Sequence, residues 1–146
     1  MKRSLVLMLV LVLGGCASYF APPYEAAISD KLTSAAAGVE RIGAAIDLAG
    51  AAPPGTFAKY EPDYVAVLAD LRSARTIAEG RAAIYEGKPS GEAAKIVVNM
   101  IGNCDAAVLL VAQRHKTAGL TPSLFGNVMV RETCALSVKS EQLLQP

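Results

Sequence analysis

The sequence predicts an all-α domain, an antiparallel up-down four-helix bundle that follows a short export segment. Three observations predict it. The chain is rich in Ala, the strongest helix former, and has no Trp. Apolar residues recur at alternating spacings of three and four along four separate stretches. Gly and Pro gather at the few places between those stretches, where they read as punctuation. A three-helix core with a bent second helix fits the same pattern and is the rival architecture. At 146 residues the chain has the length of one domain with a real core.

The first twenty residues read MKRSLVLMLVLVLGGCASYF. Lys2 and Arg3 form a basic start, and Leu5 to Leu13 is an uncharged apolar run. A membrane-spanning helix needs about 20 apolar residues, so this run is a signal peptide core and not a span. Small residues must follow it, because the peptidase draws an extended backbone into a narrow cleft; Gly14 and Gly15 meet that need. Leu13-Gly14-Gly15-Cys16 resembles the lipobox of bacterial lipoproteins. The resemblance covers residues 1–18 and implies cleavage before Cys16, with diacylation of the Cys16 thiol and acylation of the new amino group. Cysteine suits that role because its thiolate is a good nucleophile. Stable attachment takes at least two acyl chains at about 0.8 kcal/mol per buried methylene, and three chains make the anchor effectively permanent. The residue after Cys16 is Ala17 and not Asp, and by resemblance this favours the outer membrane, facing the periplasm. The expected organisation is a signal peptide at 1–15, a lipidated tether at 16–23 stiffened by Pro22-Pro23, and a bundle domain at 24–146.

The first helix is expected over residues 24–49, with Ile28, Leu32, Ala35, Val39, Ile42, Ile46 and Ala49 as one apolar stripe. AGAAPPG then breaks it. The second is expected over 57–79, extending toward Tyr85, with Glu61-Pro62 as an internal start, since Pro belongs in a first turn. Its stripe is Tyr60, Tyr64, Val67, Leu68, Leu71 and Ala78. EGKPSG makes the next turn, and the third helix follows over 92–118, with Val97, Ile101, Cys104, Val108, Val111 and Ala112 on one face. Gly119 stands where a left-handed C-cap is expected. Thr121-Pro122 opens the fourth helix as N-cap and N1. It is expected to run unbroken to Gln145, with Leu124, Phe125, Val128, Met129, Leu136 and Leu143 on its apolar side. In this topology the turns at 50–56 and 119–121 lie at the end away from the tether.

Cys104 and Cys134 are candidates for a disulfide. Folding helices three and four about a turn near residue 120 leaves the two cysteines within about 3 Å in height, at 1.5 Å per residue. Export permits such a bridge. Against it, Cys134 lies off the apolar stripe of its helix, near Val130, and two separate thiols are the alternative. Arg75 falls in the middle of the stripe of helix two, and Glu132 inside the apolar arc of helix four. Buried charges are costly unless paired, so the two are expected to pair across the core or to line a groove. The alternative is that Arg75 snorkels to solvent and Glu132 sits at a bundle edge.

Other chemistry is sparse. Once Lys2 and Arg3 leave with the signal peptide, twelve basic side chains face thirteen acidic ones, which is no electrostatic footprint for nucleic acid. His115 is the one histidine. It falls near the inner face by angle, but its place in Gln113-Arg114-His115-Lys116 reads as a cation complementing a helix C-terminus. No metal site, cofactor motif or catalytic motif is present in the sequence, including C-x-x-C-H, G-x-S-x-G, the Walker loop and H-E-x-x-H. The expected function is a non-enzymatic envelope module, with the bilayer as one partner through Cys16 and a protein as the other. A small-ligand-binding bundle is the alternative, and it requires an internal apolar pocket.

Overall fold

Four amphipathic stretches joined by short turns can bury their apolar stripes only against one another. The computed structural model of the protein describes residues 21–127 and 129–145. The expected signal peptide, the lipobox-like stretch and Cys16 lie outside the described residues. The helices are α1 (Ala26–Ala49), α2 (Phe57–Ile84), α3 (Pro89–Ala118), α4 (Pro122–Asn127) and α5 (Val130–Gln142), with a single 3₁₀ turn at Pro54–Thr56. The long helices α1, α2, α3 and α5 form an up-down four-helix bundle in which α2 packs between α1 and α3, and α5 closes the ring between α3 and α1. No strand occurs among the described residues.

The core follows the three-four periodicity. Ile28, Leu32, Ala35, Val39, Ile42 and Ile46 are all buried, whereas Ala49 at the end of that stripe is exposed. On α2 the buried row is Tyr60, Tyr64, Val67, Leu71, Ala74, Ala78 and Arg81. On α3 it is Ala94, Val97, Ile101, Cys104, Val108, Val111 and His115. Helix α2 begins at Phe57, not at Pro62, which lies inside it. Pro62 has no N–H for the Ala58 carbonyl, and Ala58 is exposed, so that carbonyl can be solvated.

The fourth helix is not continuous. Met129 takes a left-handed conformation, φ 52° and ψ 27°, and divides it into α4 and α5. The break resets the buried face. Val130, Cys134, Ser137 and Glu141 turn inward, while Met129, Leu136 and Leu143, expected on the apolar side, are exposed. Phe125 is buried as its spacing predicts. The side chains of Leu124 and Val128 lie outside the described residues.

The loops at the end away from the tether are joined. Ala52 and Leu120 exchange both backbone hydrogen bonds, each 2.7 Å long. Gly119 has φ 78° but ψ 177°, so it is not the expected left-handed cap. It swings the chain from α3 into that bridge, and a Cβ there would stand 2.7 Å from the Ala52 carbonyl oxygen. At the opposite end, which we call the base, a Cβ on Gly91 would overlap the Tyr85 carbonyl oxygen, so glycine lets α3 start directly against the preceding turn.

Candidate functional site

The predicted charge pair does not form. Arg75 is 46% exposed and bonds Glu79 one turn along its own helix, Nε to Oε1 at 2.8 Å. The buried row passes through Ala74, one position earlier. Glu132 is exposed as well, because the reset at Met129 carries it out of the core.

A different pair takes that role at the base. Arg81 is 6% exposed and Glu141 is 0% exposed. Arg81 Nη1 donates to Glu141 Oε1 at 2.7 Å, and Nη2 donates to Oε2 at 2.8 Å. This two-pronged geometry suits a planar guanidinium. Glu141 Oε1 also accepts the backbone N–H of Glu25 at 2.9 Å, and Arg81 Nη1 donates to the carbonyl of Pro23 at 3.0 Å. Arg81 Nε has no hydrogen-bond partner among the described residues. One node thus ties the incoming chain, the end of α2 and the end of α5. The sequence carried the signal: strict three-four steps from Leu71 through Ala74 and Ala78 reach Arg81, and steps from Val130 through Cys134 and Ser137 reach Glu141.

His115 is not a solvent-facing cation. It is fully buried at the far end, between the rings of Tyr60, Phe57 and Tyr64. Thr56 Oγ1 donates its one proton to the Pro53 carbonyl at 2.7 Å. The 3.0 Å contact between His115 Nε2 and Thr56 Oγ1 therefore has the imidazole as donor. His115 Nδ1 is left to accept the Tyr64 hydroxyl at 3.2 Å. This arrangement is that of the neutral ring, which burial favours by holding the His115 pKa below the usual histidine value, opposed in part by the Pro53 backbone. Burial, with Tyr60 beside it, pushes the Tyr64 hydroxyl above the usual tyrosine value.

Cys104 and Cys134 are bonded, with Sγ atoms 1.99 Å apart and Cα atoms 4.8 Å apart. Both are buried, and the bridge joins α3 to α5 within the core. Cys134 reaches it because the buried face of α5 is the Val130 face. Among the described residues, no group of three or more His, Cys, Asp and Glu side chains is placed to hold a metal ion.

Between Val39, Val108, Phe125 and Val130 the core leaves a void of about 10 Å³. A ligand pocket needs about 300 Å³ or more, so this void has no room for the small molecule of the alternative reading.

Among the described residues, the outer side of α3 is the one long uncharged helix face. Ile96, Asn99, Asn103, Ala106 and Leu110 are all exposed there, in steps of three and four. At 1.5 Å per residue the row runs about 21 Å. Asp105 is the one charged residue between Lys95 and Arg114, and it turns toward α2, with Oδ1 3.6 Å from Arg72 Nε. Helix α3 is long and apolar enough to cross a membrane by length and composition, with 28% of its most apolar window buried. Here its inner row belongs to the bundle core.

Comparison with family models, with curated proteins and with solved structures returned no match. Function must therefore be argued from the chain's own residues.

Proposed function

We propose that the chain is a non-enzymatic lipoprotein of the bacterial envelope, anchored through acylated Cys16 and presenting the outer face of α3 to a protein partner. The observation that carries the interaction reading is the uncharged row from Ile96 to Leu110. Depletion of charge is the compositional mark of an interface centre. A row about 21 Å long, with apolar side chains at both ends and two amides between them, fits a helix laid along it. The lipobox supports the anchor, and Ala17 favours the outer membrane facing the periplasm. The Cys104–Cys134 bridge fits an oxidising compartment.

Two measurements test the reading. Cys16→Ser should leave the precursor uncut and without incorporated acyl chains, read by its larger mass and loss of fatty-acid labelling; normal maturation of that variant would remove the anchor. A photoreactive residue placed at Leu110 in cells should give one discrete adduct, and the same residue at Glu61, on another helix, should give none. Equal adducts from both positions would remove the docking face.

A further inference from the structure

The base of the bundle has the features of a surface that touches lipid. The incoming chain does not leave the domain as a free leash. Pro22 is buried, Pro23 accepts a hydrogen bond from Arg81, and the Glu25 N–H is held by Glu141. The chain is therefore fixed to the base up to the edge of the described residues. From Cys16 to Pro22 it spans at most about 20 Å even when fully extended. Helix α2, with 28 residues, makes the bundle about 42 Å tall.

Two of the three most exposed large apolar side chains lie at this same end. Ile84, the last residue of α2, is 74% exposed, and Leu143, just past α5, is 85% exposed. They follow Arg81 and Glu141 by three and two residues, so the ion pair holds both beside the point where the chain enters. An open groove of about 400 Å³ continues from Ile84 between Ile77, Tyr85 and Pro23. Tyr24 and Tyr85 supply partly exposed rings, which favour the headgroup level of a bilayer. Lys88, exposed beside the equally exposed Glu86, holds its ammonium 5.5 Å from the Tyr85 ring centre, at the level where lipid phosphates would lie.

We propose that the base is a membrane-contact face: with the chain clamped at Arg81–Glu141, the bundle stands on the phospholipid interface, with Ile84 and Leu143 entering the headgroup region. The inference rests on the anchor reading above. It places α3 upright, its outer face clear of the bilayer, and directs the Ala52–Leu120 end away from it. Leu48, at that far end and 90% exposed, has equal apolar character and serves as the internal control.

The test uses the absence of Trp from the native chain. Lipidated protein carrying Ile84→Trp, Leu143→Trp or Leu48→Trp is reconstituted in phosphatidylglycerol–phosphatidylcholine vesicles, with and without brominated acyl chains. All three sites are exposed, so the core is untouched. Bromolipid should remove about half the emission from Ile84→Trp and from Leu143→Trp, at the depth of an interfacial side chain, and leave Leu48→Trp unchanged. Equal quenching of all three, or none at the two base sites in protein that floats with the vesicles, would overturn the membrane-contact face and leave the anchor standing. Failure of the protein to float with the vesicles would remove the anchor and the contact face together.

Discussion

The two ends of this bundle are closed by opposite chemistry. At the base, a guanidinium and a carboxylate are buried together and hold the incoming chain. At the far end, a neutral imidazole joins two hydroxyls beneath a pair of backbone hydrogen bonds. Both answer one problem, since each helix end leaves backbone groups and loop segments needing partners. The charged solution is strong as a pair and intolerant of losing one member. The neutral solution depends on protonation state. The base should thus respond to side-chain deletion and the far end to pH.

The largest expected effect comes from breaking the base pair. Glu141→Ala would bury an unpaired guanidinium and should cost about 3–5 kcal/mol, read as a lower denaturant midpoint. The double variant Arg81→Met/Glu141→Leu should recover most of that loss, because both charges leave together. If Glu141→Ala alone proved neutral, the base would be held by packing and not by the pair.

The far end sharpens the comparison through pH. His115 is neutral in the fold with a pKa below its unfolded value. Above the unfolded pKa of about 6.5 neither state binds the proton. Below it the unfolded chain binds a proton that the fold does not, so stability falls as pH drops and levels off below the folded pKa. Thermal melts from neutral to mildly acidic pH should follow this slope, and His115→Gln should flatten it. An unchanged slope in that variant would assign the pH dependence to carboxylates elsewhere.

The smallest effect belongs to the charges that sequence pattern singled out. Arg75→Ala and Glu132→Ala should each stay within about 0.5 kcal/mol of the native protein, as exposed side chains do. A larger loss in chemical denaturation would place either residue in a structural role that its exposure does not explain.

The bundle itself was legible because the stripes on α1, α2 and α3 are long and regular. The site was less so, because several of its inner positions are small or polar and only their spacing marks them. On α2, Tyr60, Tyr64, Val67, Leu71 and Ala78 are buried as their spacing predicts, but between Leu71 and Ala78 the small Ala74, not the conspicuous Arg75 beside it, fills the inner position. On α5 the buried face consists of Val130, Cys134, Ser137 and Glu141, and two of the four are polar. The leucines of that segment point outward, which inverts the ordinary signal. Only the left-handed turn at Met129 decides the phase, and nothing in its residue type announces it: left-handed backbone is ordinarily the province of Gly or Asn. His115 lay on its inner row by spacing, but its position near a helix end pointed toward a solvated cation. Met129 also explains why Cys134, off the drawn stripe, meets Cys104.

The node at Arg81 has a mechanical consequence. Both ends of the described chain arrive there, the N-terminal stretch through Pro23 and Glu25 and the C-terminal helix through Glu141. A pull on the leading segment is therefore not taken by α1 alone, peeling it one turn at a time. The force passes through the guanidinium into α2 and through the carboxylate into α5, and three helices share the load together. Ordinary chain ends unzip under small forces because each step breaks little; here the first step must tear a paired charge out of the protein interior. A load applied at the first described residues would therefore meet the buried ion pair before it reached the rest of α1.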